Sequence, residues 1–396
     1  MSKYKYVSLG ENVEEMFIGP FGSCLKNECF VNEDEAYCMV YEQKHAIQKT
    51  MDVETRYVNE QKYNELKRFN IHGGDIIVSC RGTIGETFIV PADAPLGIMH
   101  PSIMKIRLKD GVYDKYYFNL LLMSRLKKHE AEANGSGIKM VISATELGKE
   151  LFPVPTMEEQ KEITDIISKI SYVIEKRKQE LSDLDELIKS RFVEMFGDPG
   201  TNPYGWEKLT VNDVCASVVR GPFGSALKKE FFVPPSDTTY KVYEQKHAIQ
   251  KSSTIGTYYV TAEKYNELRR FECCSGDILM SCSGTMGELY QLPEDCERGI
   301  INQALCKFTL NERILPIVFL SYMRETIGNL ETKGSGIQNI AAVSYVKAMP
   351  INLPPLHVQE QFAAFVEQID KSKVAVQKSL DETQLLFDSL MQKYFG

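Results

Sequence analysis

The residues of this chain that have the capacity for chemistry occur in matched pairs. Asp75 with Glu86, and Asp277 with Glu288, are separated carboxylates of the kind that a metal-dependent nuclease uses together with a lysine. Each Asp follows a glycine at the start of an apolar run, where Asp commonly caps a turn, so a capping reading stands beside the nuclease one. His45 and His247 have no Cys, Asp or Ser at a recognisable catalytic spacing, which favours a base-contacting or packed role over catalysis. GPFGS occurs at Gly19 and again at Gly221; it sets Phe21 and Phe223 at the tip of a tight turn, with Lys26 and Lys228 five residues on. Such a loop suits phosphate or groove contact, or is a plain surface turn. KHAIQK contributes Lys44, His45 and Lys49, then Lys246, His247 and Lys251. The glycine-bracketed turns RGTIGE and SGTMGE carry Thr83 and Thr285, and they differ in their first residue, Arg81 against Ser283. Arginine pairs bidentately with guanine and serine does not. His100 against Asn302, and Pro101 against Gln303, break the pairing in the same way. Of these residues the phenylalanines, lysines and histidines, with Arg81, Thr83, Ser283, Thr285, Asn302 and Gln303, form the candidate DNA-binding set.

What positions them is a repeat. YEQKHAIQK at Tyr41 recurs unchanged at Tyr243, and the same offset of 202 residues aligns GPFGS, KYNEL, GDI and the GTxGE turns. Further along the unit the offset drifts by a few residues, with GSGI at Gly135 and Gly334 and EQ at Glu159 and Glu360. A unit of about two hundred residues is therefore written twice. The first part of each unit is rich in Gly, Pro, Tyr and β-branched runs such as DIIVSC and DILMSC, and it predicts strands and turns with a few short helices. The second part begins at a proline-bearing segment, FPVPT or LPPLH, and becomes helical. Apolar residues recur at steps of three and four through Ile163, Ile167, Ile170, Ile174, Leu181, Leu184, Ile188, Phe192 and Met195. A second series runs through Phe362, Val366, Ile369, Val376, Leu380, Thr383, Phe387, Leu390 and Tyr394. One apolar seam per helix predicts pairing of the two helices, as in a coiled coil, in preference to each packing only on its own domain.

Composition limits the remaining choices. The 396 residues are 43% hydrophobic and 25% charged, the balance of a folded chain with more than one domain. No apolar stretch is long enough for a membrane span and the N-terminus lacks a signal-peptide core, so a cytoplasmic protein is expected. Ten cysteines without a CxxC pair read as reduced thiols, not as a zinc or redox site. The net charge of −8 disfavours a nucleic-acid partner unless a local patch or a basic partner subunit offsets it. NPYG at 202–205 lacks the second proline of the Asn-Pro-Pro-aromatic loop of amino-methyltransferases and reads as an interdomain turn. Neither GxxxxGK[ST] nor GxGxxG occurs, so nucleotide hydrolysis is not encoded.

With the repeat, the proline-led helices and the EQ pairs in view, the sequence resembles the specificity subunits of Type I restriction-modification systems along essentially its full length. PVPTMEEQKEI (153–163) is similar to that family's PLPPLxEQxxI helix start, and LPPLHVQEQ (353–361) matches it with one extra residue. FVEMFGDP (192–199) is similar to the family's helix end, and the GDI and GTxG segments to its target-recognition domains. The resemblance implies an α+β architecture: two mixed α/β target-recognition domains (1–152 and 198–352) separated by a pair of long antiparallel coiled-coil helices (153–197 and 353–396), with an internal pseudo-two-fold repeat. Each domain would read one half of a bipartite target on double-stranded DNA, and two methyltransferase subunits and a restriction/translocase subunit would be the partners. The chain itself would be non-catalytic and carry no cofactor or metal, with S-adenosylmethionine, ATP and magnesium on those partners. The two domains are more alike than is common in the family, which points to a near-inverted-repeat target. The competing readings are a self-contained DNA methyltransferase or nuclease with duplicated domains, against which the missing adenosylmethionine-binding glycines count, and a protein-binding repeat unrelated to DNA.

Overall fold

The computed structural model describes residues 4–81, 83–136, 143–223, 226–332 and 342–396, without the side chains of 131–136 and 328–332. The GSGI segment at Gly334 lies outside them, as does the second half of the one at Gly135. The chain divides into two compact units, Met1–Lys178 with Lys378–Gly396, and Gln179–Gln377. The division falls within the two 40-residue helices, Met157–Phe196 and Leu356–Phe395, and not at their ends.

The strands of the first unit are β1 (Lys5–Ser8), β2 (Val13–Ile18), β3 (Cys38–Tyr41), β4 (Arg56–Val58), β5 (Asn70–Ile71), β6 (Ile76–Ser79), β7 (Thr87–Ile89), β8 (Gly97–Met99), β9 (Ile103–Leu108) and β10 (Leu151–Val154). They form an antiparallel sheet in the order β2-β9-β6-β7, a mixed sheet β4-β3-β8-β5 in which β3 and β8 run parallel, and the pair β1-β10. In the second unit β11 (Glu207–Thr210), β12 (Cys215–Arg220), β13 (Thr239–Tyr243), β14 (Tyr259–Thr261), β15 (Glu272–Cys273), β16 (Ile278–Ser281), β17 (Leu289–Gln291), β18 (Gly299–Ile301), β19 (Leu305–Leu310) and β20 (Pro350–Leu353) repeat all three sheets, β13 and β18 being the parallel pair. This is the expected α+β architecture, written twice.

The apolar runs DIIVSC and DILMSC lack polar alternation because both of their faces are covered. Successive side chains of a strand point to opposite faces. Ile76 and Val78 accordingly enter a core with Phe118, Leu122 and Phe152, while Ile77 enters another with Met39, Tyr41 and Met99. In β16, Ile278 and Met280 pack with Phe308 and Phe319, and Leu279 packs with Tyr243 and Leu305.

The acids at the head of these runs cap turns and anchor cations of the adjacent strand. Asp75 accepts the His72 amide at 2.8 Å and takes a bidentate pair from Arg107, both at 2.7 Å. Asp277 accepts the Cys274 amide at 2.9 Å, the Thr309 hydroxyl at 2.5 Å and the Lys307 ammonium at 3.2 Å. Glu86 and Glu288 are held elsewhere, by Lys49 at 3.3 Å and Lys251 at 2.5 Å. The carboxylates proposed as nuclease pairs thus belong to separate structural networks.

Within each unit the long helices share a core. In the first, Ile163, Ile167 and Phe395 are buried together, with Phe387, Leu390 and Tyr394 packed against them. In the second, Phe196 meets Phe362 at 5.1 Å, Arg191 lies 5.7 Å over Phe365, and Asp185 pairs with Lys373 at 2.6 Å. Residue numbers fall along one helix as they rise along the other, so this pairing is antiparallel.

At the start of each long helix a glutamine with no exposed surface ties the helix to its unit. Gln160 donates to the carbonyls of Val112 (2.9 Å) and Pro155 (3.0 Å) and accepts from the Asp114 amide at 2.8 Å. Gln359 donates to Arg313 (3.0 Å) and Pro354 (2.9 Å) and accepts from Leu315 at 2.9 Å. The structural partner of Gln160 is therefore Gln359, not the Gln361 of the EQ pair at Glu360. The correct register is set by the five-residue step from proline to glutamine, which is the same in the two helices.

His45 and His247 are fully buried and cap short helices, which corrects their assignment to DNA contact: a ring without solvent exposure has no base or phosphate within reach. The amides of Glu42 and Glu244 donate to their Nδ1 atoms, at 3.0 and 2.9 Å. The His247 Nε2 donates to the Ile255 carbonyl at 2.7 Å. Burial depresses both imidazole pKa values below their ordinary range, outweighing nearby hydrogen-bond acceptors.

Two consequences are testable. Gln359→Leu leaves a buried amide and two buried carbonyls without partners, and is expected to lower stability by roughly 2–4 kcal/mol in urea denaturation. Unfolded imidazoles take up a proton near pH ~6.5 whereas the buried ones resist it, so the unfolded state binds more protons below that pH. Stability should be full above it and fall on acidification toward pH ~5. In the double variant His45→Asn, His247→Asn the urea midpoint should change less over that interval than in the parent.

Candidate nucleic-acid interface

At one end of each unit four turns meet. In the first unit β2 and β6 end where β7 and β9 begin, and the parallel strands β3 and β8 end on the same side. Main-chain bonds lock the turns together: Gly19 N to Ile103 O (2.9 Å), Cys80 N to Ser102 O (2.8 Å) and His100 N to Tyr41 O (2.9 Å). The second unit repeats them as Gly221 N to Leu305 O (3.0 Å), Cys282 N to Ala304 O (2.8 Å) and Asn302 N to Tyr243 O (2.9 Å). The approach is so close that a Cβ on Gly19 would lie 2.3 Å from the His100 carbonyl oxygen, and one on Gly221 1.8 Å from that of Asn302. Only glycine fits either position.

This rim carries the remaining candidate residues. Phe21 and Phe223, which follow the glycines, are 85% and 69% exposed, the two most exposed phenylalanines among the described residues. Arg81 and Thr83 are exposed on the β6–β7 turn. The turn is closed by Ser79 Oγ, which donates to the Thr83 carbonyl at 2.6 Å and accepts from the Glu86 amide at 3.0 Å. Ser281 does the same for Thr285 and Glu288. Ser283, in the place of Arg81, is half-buried and donates to Gln245 Oε1 at 2.9 Å. His100 is half-buried, with Nδ1 accepting the Ser102 amide at 3.2 Å and lying 2.8 Å from its hydroxyl. Burial lowers its pKa as well. Asn302 substitutes its Oδ1 for that nitrogen, accepting the Ala304 amide at 3.0 Å, and Gln303 is exposed beside it.

The candidate lysines stand around the rim with acidic neighbours. Lys44 lies 3.0 Å from Glu42 and Lys246 lies 2.6 Å from Glu244. Glu42 is also held by Arg56, and burial opposes these cations, which nevertheless keep its carboxyl below the usual range. Lys49 and Lys251, both in the left-handed backbone region with φ of 54° and 51°, brace the hairpin turn through Glu86 and Glu288. Lys26 and Lys228 are exposed, 3.9 Å from Glu28 and 3.7 Å from Glu230.

Two rim residues lie outside the sequence-derived set: Gln245, which receives the Ser283 hydroxyl, and Arg220, whose guanidinium donates to the carbonyls of Gln303 at 3.0 Å and Cys282 at 3.4 Å. Arg220 aligns with Ile18 at the repeat offset, and that mismatch of charge with an aliphatic residue was the available signal. The rim thus gathers phenyl rings, guanidinium groups, hydroxyls and amides, which stack and hydrogen-bond. Among the described residues no group of three or more His, Cys, Asp or Glu is placed to hold a metal, and no helix is long and apolar enough to cross a membrane.

Comparison with known proteins agrees with this architecture. The family model for the Type I restriction modification DNA specificity domain matches twice, over residues 11–184 and 203–383. A protein of Methanocaldococcus jannaschii, named as the putative specificity subunit of the type I restriction enzyme MjaX, is 21% identical over 336 residues, which cover 79% of this chain and 76% of that one. A chain from a structural study of complex assembly and conformational transition of the type I R-M system matches with a TM-score of 0.63 at 15% identity, covering 99% of this chain and 97% of its own. The S subunit of a Type I restriction-modification system from M. genitalium matches with a TM-score of 0.50 at 14% identity, over 100% and 97% of the two chains. Two matches of the family model that together span most of the sequence, on two units of one topology, identify the chain as a member of the Type I restriction-modification DNA specificity family.

Proposed function

We propose that each rim reads one half of a bipartite DNA target on behalf of separate methyltransferase subunits, and that the chain carries no catalytic step itself. The observation that carries this reading is that the two rims share one backbone scaffold, bond for bond, while the side chains mounted on it differ at a few positions. A scaffold held constant under varied hydrogen-bonding groups is what discrimination among base edges calls for. Residues 1–152 and 198–352 would be the recognition domains. The long helices, which expose Tyr172, Val374 and Leu385, would offer docking surface to two methyltransferase subunits and, through the assembled complex, to a restriction/translocase subunit. S-adenosylmethionine, ATP and magnesium would belong to those partners. The acidic net charge is compatible with DNA binding if the methyltransferases supply most of the phosphate-facing surface.

Phe21, Lys26, Lys44, Lys49, Arg81, Thr83 and His100, with Phe223, Lys228, Lys246, Lys251, Ser283, Thr285, Asn302 and Gln303, remain the proposed contact set. Mapping methylated positions across the genome of a host carrying this chain with its methyltransferase partner tests the reading. Two half-sites in inverted order, alike except at a base or two, are expected; two unrelated half-sites would refute the near-repeat. Arg81→Ala should cost roughly 1–3 kcal/mol and relax discrimination in one half-site only, whereas Lys26→Ala should weaken specific and random duplex alike in titrations at fixed salt.

A further inference from the structure

We infer that Arg220 is the specificity-determining cation of the second recognition domain, delivering from β12 the guanidinium that the first domain delivers from the β6–β7 turn as Arg81. The inference rests on the DNA-recognition reading and deepens it. By alignment alone, the counterpart of Arg81 is Ser283, and the second domain would have lost the group that pairs with guanine. The structure gives a different account. Ser283 is drawn toward the helix Gln245–Ile249 by its 2.9 Å bond to Gln245 Oε1. Arg220, the last residue of β12, spans from the Gln303 carbonyl on one turn to the Cys282 carbonyl on the other. Those are the residue after Asn302 and the residue before Ser283, so the guanidinium sits between the two turns whose first-domain equivalents carry His100 and Arg81.

The first domain has Ile18 at the aligned position, at the end of β2. Each rim therefore carries one arginine from the pair of positions, and the two domains use opposite members of that pair: Ile18 with Arg81, and Arg220 with Ser283. Arg220 is also anchored at the rim. Two carbonyls fix the plane of its guanidinium and the exposed Phe223 ring lies 5.8 Å away, which reduces the side-chain freedom that a base contact must remove. A guanidinium placed at the rim, exchanging these carbonyls for a base, suits one that presents two adjacent acceptors in the major groove, which is the pattern of guanine O6 and N7. Both half-sites then contain such a base, read from differently rooted side chains.

The test uses the full chain with its methyltransferase partner, reading the methylated motif by sequencing for the parent, Arg81→Ala, Arg220→Ile and Arg220→Lys. Arg220→Ile installs the residue that the first domain tolerates at this place in the same scaffold. It is expected to broaden one base position in the half-site that Arg81→Ala leaves intact, with discrimination there falling about 5- to 150-fold. Arg220→Lys, which keeps the charge but not the fork, should broaden the same position, and it serves as the readout should Arg220→Ile lose cooperative melting. Adding Ser283→Arg to Arg220→Ile should restore discrimination in that half-site by returning a guanidinium in the first domain's manner. An even fall in methylation with no position broadened would make Arg220 a structural tie and overturn the inference, as would broadening in the half-site governed by Arg81. A parent chain that directs no bipartite pattern would instead remove the recognition reading itself, and this inference with it.

Discussion

At the end of β2, and again at the end of β12, the main chain runs so close to the turn leading into β9 or β19 that a single methyl group would strike a carbonyl oxygen. Gly19 and Gly221 are the only residue type compatible with that approach, and the geometry of each rim follows from it. The glycine amide closes onto Ile103 or Leu305, the proline that follows fixes the exit direction, and the phenylalanine after it has no direction left but solvent. The turns bearing Arg81 and Ser283 are tied to the same segment through Cys80 and Cys282. A side chain at either glycine would separate the parts of the rim before it affected either hydrophobic core.

This constraint explains why the repeat is strict in some places and loose in others. Residues whose backbone makes the rim are retained: the glycines, the serines at 79 and 281 that close the hairpin turns, and the histidines that cap the helix after β3 and β13. The differences fall on side chains mounted on that backbone, Arg81 against Ser283 and His100 against Asn302 among them. His100 and Asn302 show the boundary between the two classes, since different side chains perform one loop-closing task with a nitrogen in one unit and an amide oxygen in the other. Their exchange preserves the turn while altering the surface beside it.

Much of this organisation was legible in the sequence because it depends on local rules. The three-and-four spacing from Ile163 to Met195 marks a helix, and the unbroken apolar runs at Ile76 and Ile278 mark strands covered on both faces. The repeat locates the rim residues because turns of the same composition fold alike. What escaped was whatever depended on burial or on partners distant in sequence. Nothing around His45 announces that its Nδ1 will cap its own helix beneath a sealed surface, and the pairing of Asp75 with Arg107 spans 32 residues. The EQ pair at Glu360 is an attractive match by composition, yet the buried glutamine is Gln359, because hydrogen bonds select distance from the proline and ignore the letters in between. Arg220 is hidden for a related reason: aligned against Ile18 it reads as a lapse in the repeat, and its relation to Arg81 exists only across strands.

The lysines that frame the rims are engaged with carboxylates before any DNA arrives: Lys44 with Glu42, Lys49 with Glu86, Lys246 with Glu244 and Lys251 with Glu288. A phosphate that recruits such a lysine must take it from an internal partner or share it. The released counterion count is then smaller than the number of cations in the contact, because the glutamate left behind collects a cation of its own from solution. The slope of log affinity against log salt concentration measures net ion release. For this chain it would underreport the phosphates touched, and binding would persist to higher ionic strength than a tally of surface lysines suggests.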